Sequence, residues 1–336
     1  MENSTITDSG ADFVQDNRSE LEKVTKTVLI NTIVLCIVLS NVINLIVLRK
    51  TTQIPPNARI CLVNLSIADL CVGLVSCGPS VYPAYSGVWP YGDALCQITG
   101  IFHGSSVTIS IWSLSLVSVD RYFAILQPLR YHAIMTPRRI YAVLATFWAI
   151  ALTTFLVPVL IKRPTFVYYR YTVEENLCGM FWEFREFAVL TAVYIPIASG
   201  SVLIFTNYKI LRAVFQLRKV SPAEAPAQHK SKEGAKKDFK AVKVLIITSA
   251  VYFSAWGPYV LQVLAEAAKP NLYIWPVFQF ATVWLANSNS FMNVIIYSLM
   301  YKSFRQQAFM VIKGVLLCRC GDLDRINDTK VETFVT

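Results

Sequence analysis

The sequence predicts an all-α membrane protein, namely a bundle of seven transmembrane helices followed by a short amphipathic eighth helix. The 336-residue chain is 54% hydrophobic and only 15% charged, whereas soluble domains carry about 25% charged residues. It contains seven apolar runs, each long enough for the roughly 20 residues with which a helix crosses a bilayer. Only helices satisfy their own backbone polar groups within a single lipid-spanning segment, so all seven runs should be α-helical.

The seven runs divide the chain into spans and loops. They lie near residues 27–50, 58–83, 93–126, 137–161, 186–214, 241–267 and 273–299. Basic residues are concentrated after the first, third, fifth and seventh runs, and the positive-inside rule places those segments in the cytoplasm. We therefore expect an extracellular tail over 1–26, a seven-helix domain over 27–301, an amphipathic helix over 302–314 and a cytoplasmic tail over 315–336. The net charge of +10 fits this topology, and without a nucleic-acid motif we expect no nucleic-acid partner.

The third run, from Cys96 to Tyr122, organises the rest of the chain. Polar groups recur at helical spacing along one side of it, and an intramembrane helix does not direct such groups at hydrocarbon cheaply. We therefore expect a central helix with protein or water along one face. The polar side chains are His103, Ser106, Ser110, Ser113 and Arg121.

The two tails carry candidate modification sites. Asn3 and Asn17 stand in N-x-S/T sequons of the predicted extracellular tail, so both are candidate glycosylation sites. After the seventh run, basic and apolar residues alternate as in a helix lying on the inner leaflet. Cys318 and Cys320 follow it and are candidates for S-palmitoylation, the alternative being two reduced cytosolic thiols.

The motifs, taken in order, resemble those of the rhodopsin-like family of G-protein-coupled receptors over about residues 27–317. The residues that carry this resemblance are Asn41, Asn64-Leu65-Ser66-Ile67-Ala68-Asp69-Leu70, Trp89-Pro90-Tyr91-Gly92, Cys96, Asp120-Arg121-Tyr122, Trp148, Pro196, Trp256-Gly257-Pro258 and Asn289-Ser290-Phe291-Met292-Asn293-Val294-Ile295-Ile296-Tyr297. The seventh span also looks like that of an orphan subgroup near the amine receptors. Val294 departs from the family pattern, which usually has proline there, and Tyr252 stands where phenylalanine is usual.

The resemblance implies two features of the bundle. Cys96 and Cys178 both fall on the extracellular side, where free thiols or a disulfide are possible, and the resemblance implies that they pair. Asp69 lies inside an apolar run, where a lone charge costs on the order of 3 kcal/mol or more. The resemblance places Ser110, Asn289 and Asn293 beside it as an allosteric sodium site. The alternative is a cluster of hydrogen-bonded polar side chains that contains water instead of an ion. We expect no other cofactor.

The resemblance also assigns roles at the cytoplasmic side. The triplet Asp120, Arg121 and Tyr122 would face a heterotrimeric G protein, with arrestin and receptor kinases as further partners. Arg121 would form an ionic lock with Asp238, although snorkelling to lipid headgroups is an alternative. The remaining residues with implied roles are Leu129 as an apolar contact with the G protein, Tyr297 as a switch, and Pro196, Ile111 and Tyr252 as a connector below Trp256.

One position, residue 103, narrows the class of ligand that the receptor would bind. His103 stands where amine receptors carry an aspartate, so a monoamine is disfavoured and a different small molecule, a peptide or self-activation by the extracellular loop is expected. His103 is either a packed residue bonded to a neighbouring helix or a donor and proton sensor. By family position, the candidate pocket residues are His103, Ser106, Trp256, Tyr259, Gln262, Trp284 and Asn287.

Two other classes of protein compete with a plasma-membrane receptor. A transporter or channel could use Asp69 and the serines as a pathway, but such proteins usually show paired repeats or helices that are broken in matching halves. An intramembrane enzyme is disfavoured because the chain has no H-E-x-x-H or comparable nucleophile–base motif. We therefore expect a receptor without enzymatic activity.

Overall fold

The structure is a computed structural model that describes residues 18–51, 54–160, 169–180, 189–219, 232–269 and 272–316. Within these ranges the chain forms nine helices and one two-stranded hairpin, which confirms the predicted all-α bundle. A π-helical stretch, Val189–Tyr194, leads directly into the sixth helix. The helices are α1 (Glu20–Lys50), α2 (Pro56–Ser86), α3 (Gly92–Leu126), α4 (Pro128–Ile134), α5 (Pro137–Leu160), α6 (Ile195–Lys219), α7 (Lys232–Ala268), α8 (Pro276–Met300) and α9 (Lys302–Leu316). The strands are β1 (Tyr169–Thr172) and β2 (Leu177–Met180).

The first helix begins earlier than its apolar run. It starts at Glu20 rather than near residue 27, because Ser19 caps it: the Ser19 hydroxyl accepts a hydrogen bond from the backbone N–H of Glu22 at 3.2 Å. Glu20 and Glu22 lie in the first turn, where carboxylates stabilise the positive end of the helix dipole. Hydropathy does not detect such a polar turn, so the apolar run marks only the membrane-embedded part of the helix.

Five of the described helices, α1, α2, α3, α5 and α7, are long and apolar enough to cross a membrane. Helix α8 carries no charged side chain, but Asn287, Asn289 and Asn293 lower its hydropathy. All three asparagines are buried. Their amides therefore face the interior of the bundle, as expected for polar groups at membrane depth.

Helix α2 is irregular near its middle. A π-helical stretch, Val72–Cys77, and a 3-10 turn, Gly78–Ser80, interrupt the α-helix, which resumes at Val81. Pro79 lies within the 3-10 turn and lacks the N–H that an α-helical hydrogen bond would need there. At Gly73, a Cβ atom would lie only 2.8 Å from the Ile37 side chain of α1. The glycine therefore allows the two helices to pack closely.

Helix α3 is the centre of the bundle, as the sequence predicts. It packs against α2, α5 and α6, and both strands of the hairpin rest on it. Its buried residues include Ser106, Ser110, Ser113 and Asp120. The predicted polar stripe therefore faces protein rather than lipid.

The β1–β2 hairpin closes one end of the bundle, which we call the hairpin end. Its strands are antiparallel, with Tyr171 opposite Cys178, and its turn contains Asn176 in the left-handed conformation at φ 53°. Cys178 forms a disulfide with Cys96 at the start of α3, with the two Cα atoms 5.5 Å apart. The predicted pairing is thereby confirmed, and it fixes the hairpin to the central helix.

Helix α9 is amphipathic, as predicted, and extends slightly further, to Leu316. Phe304, Ala308 and Val311 are buried in the main apolar core, while Arg305 and Lys313 are exposed. The helix lies at the opposite end of the bundle, beside α1 and α8. We call this the Asp-Arg-Tyr end, because Asp120, Arg121 and Tyr122 end α3 there.

Candidate functional site

A cavity of about 100 Å³ lies inside the bundle at the hairpin end. Of the seven predicted pocket residues, four line it, namely His103, Trp256, Tyr259 and Asn287. The hairpin supplies Glu175, Leu177 and Gly179 to its walls. Pockets for drug-sized ligands usually measure about 300–1,000 Å³. The cavity in this conformation therefore admits only a ligand of a few heavy atoms.

His103 is bonded across the cavity to α8. Its Nε2 lies 2.8 Å from the amide oxygen of Asn287, while the Asn287 amide nitrogen donates to the carbonyl of Val283 at 3.1 Å. Because an amide oxygen only accepts, His103 donates from Nε2 in this arrangement. The contact joins α3 to α8 directly beneath the hairpin.

The other three predicted pocket residues lie outside the cavity wall. Ser106 is buried within α3. Gln262 accepts a hydrogen bond from the Thr282 hydroxyl at 2.5 Å and donates to Glu266 at 3.1 Å, so it links α7 to α8. Trp284 is 2% exposed, and its indole N–H donates to the backbone carbonyl of Glu175 at 2.8 Å. Gln262 and Trp284 therefore hold together the helices and the hairpin that surround the cavity.

Glu175 is a site residue that the sequence reasoning missed. Burial raises the pKa of its carboxyl group to about 7, and the nearby charges of Glu266 and Glu174 contribute in the same direction. A Cβ atom at Gly179 would lie 2.7 Å from a Glu175 carboxylate oxygen, so the Glu175 side chain lies close against the backbone of β2. The one signal in the sequence that could have identified Glu175 is its position three residues before Cys178, the cysteine of the predicted disulfide.

A second missed residue, Arg18, joins the start of the described chain to the hairpin. Its guanidinium donates to the carbonyl of Ala84 at 2.8 Å and to the Asn176 side chain at 3.4 Å. The Tyr171 hydroxyl also donates to the carbonyl of Pro83 at 2.8 Å. These bonds hold the turn of the hairpin against the end of α2. No pattern in the sequence distinguishes Arg18 from the other polar residues of the tail.

A polar cluster surrounds Asp69 in the middle of the bundle. The Ser110 hydroxyl donates to one Asp69 oxygen at 2.8 Å, and Ser290 and Asn293 lie next to the same carboxylate. The second Asp69 oxygen and both amide atoms of Asn293 are buried and make no hydrogen bond to any described residue. Buried polar groups are normally partnered. A set of carboxylate, hydroxyl and amide oxygens with unsatisfied members fits a small hard cation or water.

Asn289, the fourth residue of the predicted sodium set, is also buried on α8. Asn41 of α1 reaches the same helix, where its amide nitrogen donates to the carbonyl of Ser290 at 2.9 Å. Helices α1, α2, α3 and α8 thus meet around one polar interior.

The predicted connector residues are in contact. The Tyr252 hydroxyl of α7 donates to the carbonyl of Pro196 in α6 at 3.0 Å. Tyr252, Ile111 and Trp256 belong to one buried apolar cluster below the cavity. The hydroxyl that distinguishes tyrosine from the family's usual phenylalanine therefore has a specific partner between two helices.

At the Asp-Arg-Tyr end, Arg121 forms an ion pair with its neighbour Asp120. The other Asp120 oxygen accepts a hydrogen bond from the Tyr131 hydroxyl of α4 at 2.8 Å. Burial, followed by the Asp120 charge, raises the pKa of Tyr131. Next to Tyr131, Leu129 is 98% exposed. Helix α4 is thus fixed to α3 while it presents an apolar side chain to the outside.

Of the remaining predicted sites, the structure describes some and leaves others outside its described part. Tyr122 packs edge-on against Phe123, and the buried Tyr297 packs against Phe304 of α9. Asp238 lies on α7, but its side chain is outside the described part of the structure, so the ionic lock stays a prediction. Four modification sites also fall outside the described residues, namely Asn3, Asn17, Cys318 and Cys320.

Comparison with known proteins places the chain in a family. A family model described as 7 transmembrane receptor (rhodopsin family) matches residues 16–297. Opsin Rh6 of Drosophila melanogaster is 24% identical over 303 residues, which are 84% of this chain and 77% of the opsin. The human protein named Probable G-protein coupled receptor 21 is 28% identical over 279 residues, covering 79% of this chain and 76% of that protein.

Amine receptors are also among the relatives. Trace amine-associated receptor 7a of Rattus norvegicus is 27% identical over 278 residues, covering 79% of this chain and 75% of that receptor. The match extends over all seven long helices and the Asp-Arg-Tyr triplet, and it sets the transporter and enzyme alternatives aside. The chain belongs to the rhodopsin family of seven-transmembrane receptors, and it is a membrane receptor rather than an enzyme.

Proposed function

We propose that this receptor relays an extracellular signal to heterotrimeric G proteins and that its own hairpin supplies part of that signal. The observation that carries this proposal is the position of the hairpin, which lines the cavity with Glu175 and Leu177 and is bonded to Trp284 of α8. Because little volume remains, the hairpin acts as a resident occupant of the ligand pocket. We therefore expect signalling without added ligand.

The proposed orientation places the hairpin end outside the cell and the Asp-Arg-Tyr end in the cytoplasm of a cell whose plasma membrane carries the receptor. It is supported by the disulfide at the hairpin end, since disulfides persist in oxidising compartments. The basic loops at the other end agree with the positive-inside rule. Glycosylation of Asn3 and Asn17 and palmitoylation of Cys318 and Cys320 belong to the same proposal.

We propose that an external ligand of this receptor is a small molecule other than a monoamine. The neutral His103 cannot balance an ammonium group as a carboxylate does, and its Nε2 is already engaged by Asn287. The acidic residue in the cavity lining is Glu175, which lies on the hairpin rather than on α3. A ligand would therefore have to displace the hairpin or fit beneath it.

Asp69, Ser110, Asn289 and Asn293 are proposed to hold a sodium ion. Bound there, the ion would supply positive charge to a buried carboxylate and so stabilise the resting arrangement of the helices. The unpartnered Asp69 oxygen and Asn293 amide support this assignment. The competing occupant is water, which would satisfy the same atoms.

The Asp-Arg-Tyr end is proposed to be the surface for the G protein, with arrestin and receptor kinases using the same face. Arg121 would exchange its bond with Asp120 for a contact with the G protein. Leu129 is proposed as the apolar contact of α4, because it is almost fully exposed beside the fixed residue Tyr131. An ion pair near the surface is worth about 0–1 kcal/mol, so Arg121 and Asp238 would bias the equilibrium rather than lock it.

GTPγS loading of purified G proteins by the reconstituted receptor tests this function. We expect loading above that of empty membranes without any ligand, and loss of the excess in Arg121→Ala. The matched control is Arg305→Ala, which removes an exposed arginine from α9 and should leave loading unchanged. Loading by the unliganded receptor that equals the empty-membrane value for every G protein would contradict the proposal.

A further inference from the structure

Each strand of the hairpin has its own attachment to the bundle. Cys178 of β2 is bonded to Cys96 of α3 through the disulfide. Tyr169 of β1 lies opposite Met180 in the sheet, two positions away from the pair that contains Cys178. Its side chain is 3% exposed, so it is inserted into the bundle. Tyr169 is therefore a second attachment, and it is not covalent.

Gln97 of α3 binds the backbone of Tyr169 at two points. Its amide nitrogen donates to the Tyr169 carbonyl at 2.8 Å, and its amide oxygen accepts a hydrogen bond from the Tyr169 N–H at 3.1 Å. A strand with one neighbour leaves a row of backbone groups unpaired, and a side-chain amide can both donate and accept. Gln97 therefore binds β1 in the way that a neighbouring strand would.

The ring of Tyr169 fills a slot between α3 and α5. A Cβ atom at Gly100 would overlap this ring, so the ring lies directly against the backbone of α3. The Tyr169 hydroxyl donates to the backbone carbonyl of Phe155 in α5 at 3.1 Å. One turn along α3, a Cβ atom at Gly104 would overlap the Phe155 ring in the same way. Two glycines on one face of α3 thus make room for the hairpin and for α5.

We propose that Tyr169 is a positioning residue: held by Gln97 and Gly100, it keeps the hairpin in the cavity even when the disulfide is broken. An isolated two-stranded hairpin is only marginally stable in water, so a hairpin that lost both attachments would unfold and leave the cavity. Tyr169 also lines the cavity, so the anchor is part of the resident occupant. The consequence for ligand-free signalling rests on the function proposed above, whereas the anchoring itself does not.

Hydrogen–deuterium exchange of the backbone amides over residues 169–180 tests the proposal, measured before and after the folded receptor is reduced with a phosphine. Reduction of the unmodified receptor should leave these amides protected. Reduction of Gln97→Leu should speed their exchange about thirty-fold over the reduced unmodified receptor, because two hydrogen bonds of ordinary strength are lost. The control is Asp93→Asn. Asp93 accepts a hydrogen bond from Gln97, asparagine keeps that oxygen, and the amides should stay protected.

A second pair of variants tests the slot without removing a polar group. Gly100→Ala adds a methyl group that displaces the Tyr169 ring, so reduction should speed exchange of the hairpin amides in this variant too. Gly257→Ala is the matched control, because a Cβ atom at this glycine of α7 meets no atom within 4 Å. Its hairpin should stay protected after reduction. Melting temperatures of the disulfide-bonded variants that match the unmodified receptor would show that each variant is folded.

Two outcomes would overturn the proposal. Rapid exchange of the hairpin in the reduced, unmodified receptor would show that the disulfide alone holds it. A hairpin that stays protected in both reduced variants, Gln97→Leu and Gly100→Ala, would show that Tyr169 is not an anchor. Ligand-free GTPγS loading should survive reduction of the unmodified receptor and be lost in reduced Gln97→Leu. Exchange itself requires no G protein, so the expected exchange without any loading would contradict the proposed function and leave the anchor supported.

Discussion

The indole N–H of Trp284 donates to the backbone carbonyl of Glu175 at 2.8 Å. This bond joins α8, whose other end carries Tyr297, to the turn of the hairpin at the opposite end of the bundle. The disulfide fixes the hairpin to α3 as well. The hairpin therefore bridges two helices that also share the polar cluster around Asp69, and its position is coupled to the interior of the bundle.

Trp284→Phe removes this bond while keeping an aromatic ring. We expect the free energy of unfolding to fall by about 1 kcal/mol, the usual net value of one hydrogen bond. If the hairpin acts as the resident occupant, GTPγS loading by the unliganded receptor should fall as well. Trp275→Phe is the matched control, because Trp275 is 72% exposed at the start of α8. Equal effects of the two variants would count against a specific role for the bond.

The raised pKa of the Glu175 carboxyl group predicts that the stability of the receptor depends on pH. Its carboxyl pKa is raised from 4.5 to about 7, so the folded protein binds the proton more tightly than the unfolded chain. The contribution of Glu175 to the free energy of unfolding is therefore fully present below about pH 4.5 and is lost as the pH rises through about 7. Three titratable groups face the Glu175 carboxyl, namely Glu174 on the hairpin turn and Glu266 and Tyr259 on α7. Arg170 of β1 lines a surface pocket together with Glu175.

The measurement is thermal unfolding between pH 5 and pH 8. Glu175→Gln should raise the melting temperature at pH 8 and flatten the profile, because an uncharged amide replaces a buried carboxylate. Glu174→Gln is the comparison, since it removes only one of the charges that raise the Glu175 pKa. Its profile should move slightly to lower pH and keep the same steepness. A Glu175→Gln profile as steep as the original would show that another group titrates.

Tyr252→Phe tests the contact between α6 and α7. It removes the hydroxyl that donates to the carbonyl of Pro196 and restores the residue usual in the family. We expect a loss of about 1 kcal/mol in the free energy of unfolding. Tyr208→Phe, at an exposed position of α6, should change it by less than about 0.5 kcal/mol. A melting temperature unchanged by Tyr252→Phe would show that the hydroxyl contributes nothing to the connector.

Asp69→Asn tests the proposed sodium site. The melting temperature of the unmodified receptor should rise when sodium chloride replaces choline chloride at constant ionic strength, because an ion that binds only the folded state stabilises it. The rise should vanish in Asp69→Asn, which cannot offer a carboxylate. The control is Glu174→Gln, which removes an exposed carboxylate and should still show the rise in melting temperature with sodium. Sodium stabilisation that survives in Asp69→Asn would leave water as the occupant.

Much of the bundle was predictable from the sequence because membrane helices must be long, apolar and internally hydrogen-bonded. The polar stripe of α3 and the disulfide followed from the cost of polar groups in lipid and from the family motifs. The early start of α1 was not predicted, since a Ser19 cap and a charged first turn leave no signal in hydropathy.

The composition of the candidate site was only partly predictable. Family position identified His103, Trp256, Tyr259 and Asn287 because helices keep their register along the membrane. Glu175 was missed, since its place depends on the hairpin turn at Asn176 rather than on any helical periodicity.

If the Asp-Arg-Tyr end opens to bind a G protein, the distance between α5 and α7 at that end should change. Spin labels at Tyr141→Cys and Lys243→Cys, both exposed positions, would report it in a receptor whose accessible cysteines are replaced by serine, namely Cys36, Cys71, Cys318 and Cys320. We predict that nucleotide-free G protein lengthens the distance and that Arg121→Ala prevents the change. A distance unaffected by the G protein, in a receptor that still promotes GTPγS loading, would contradict the account.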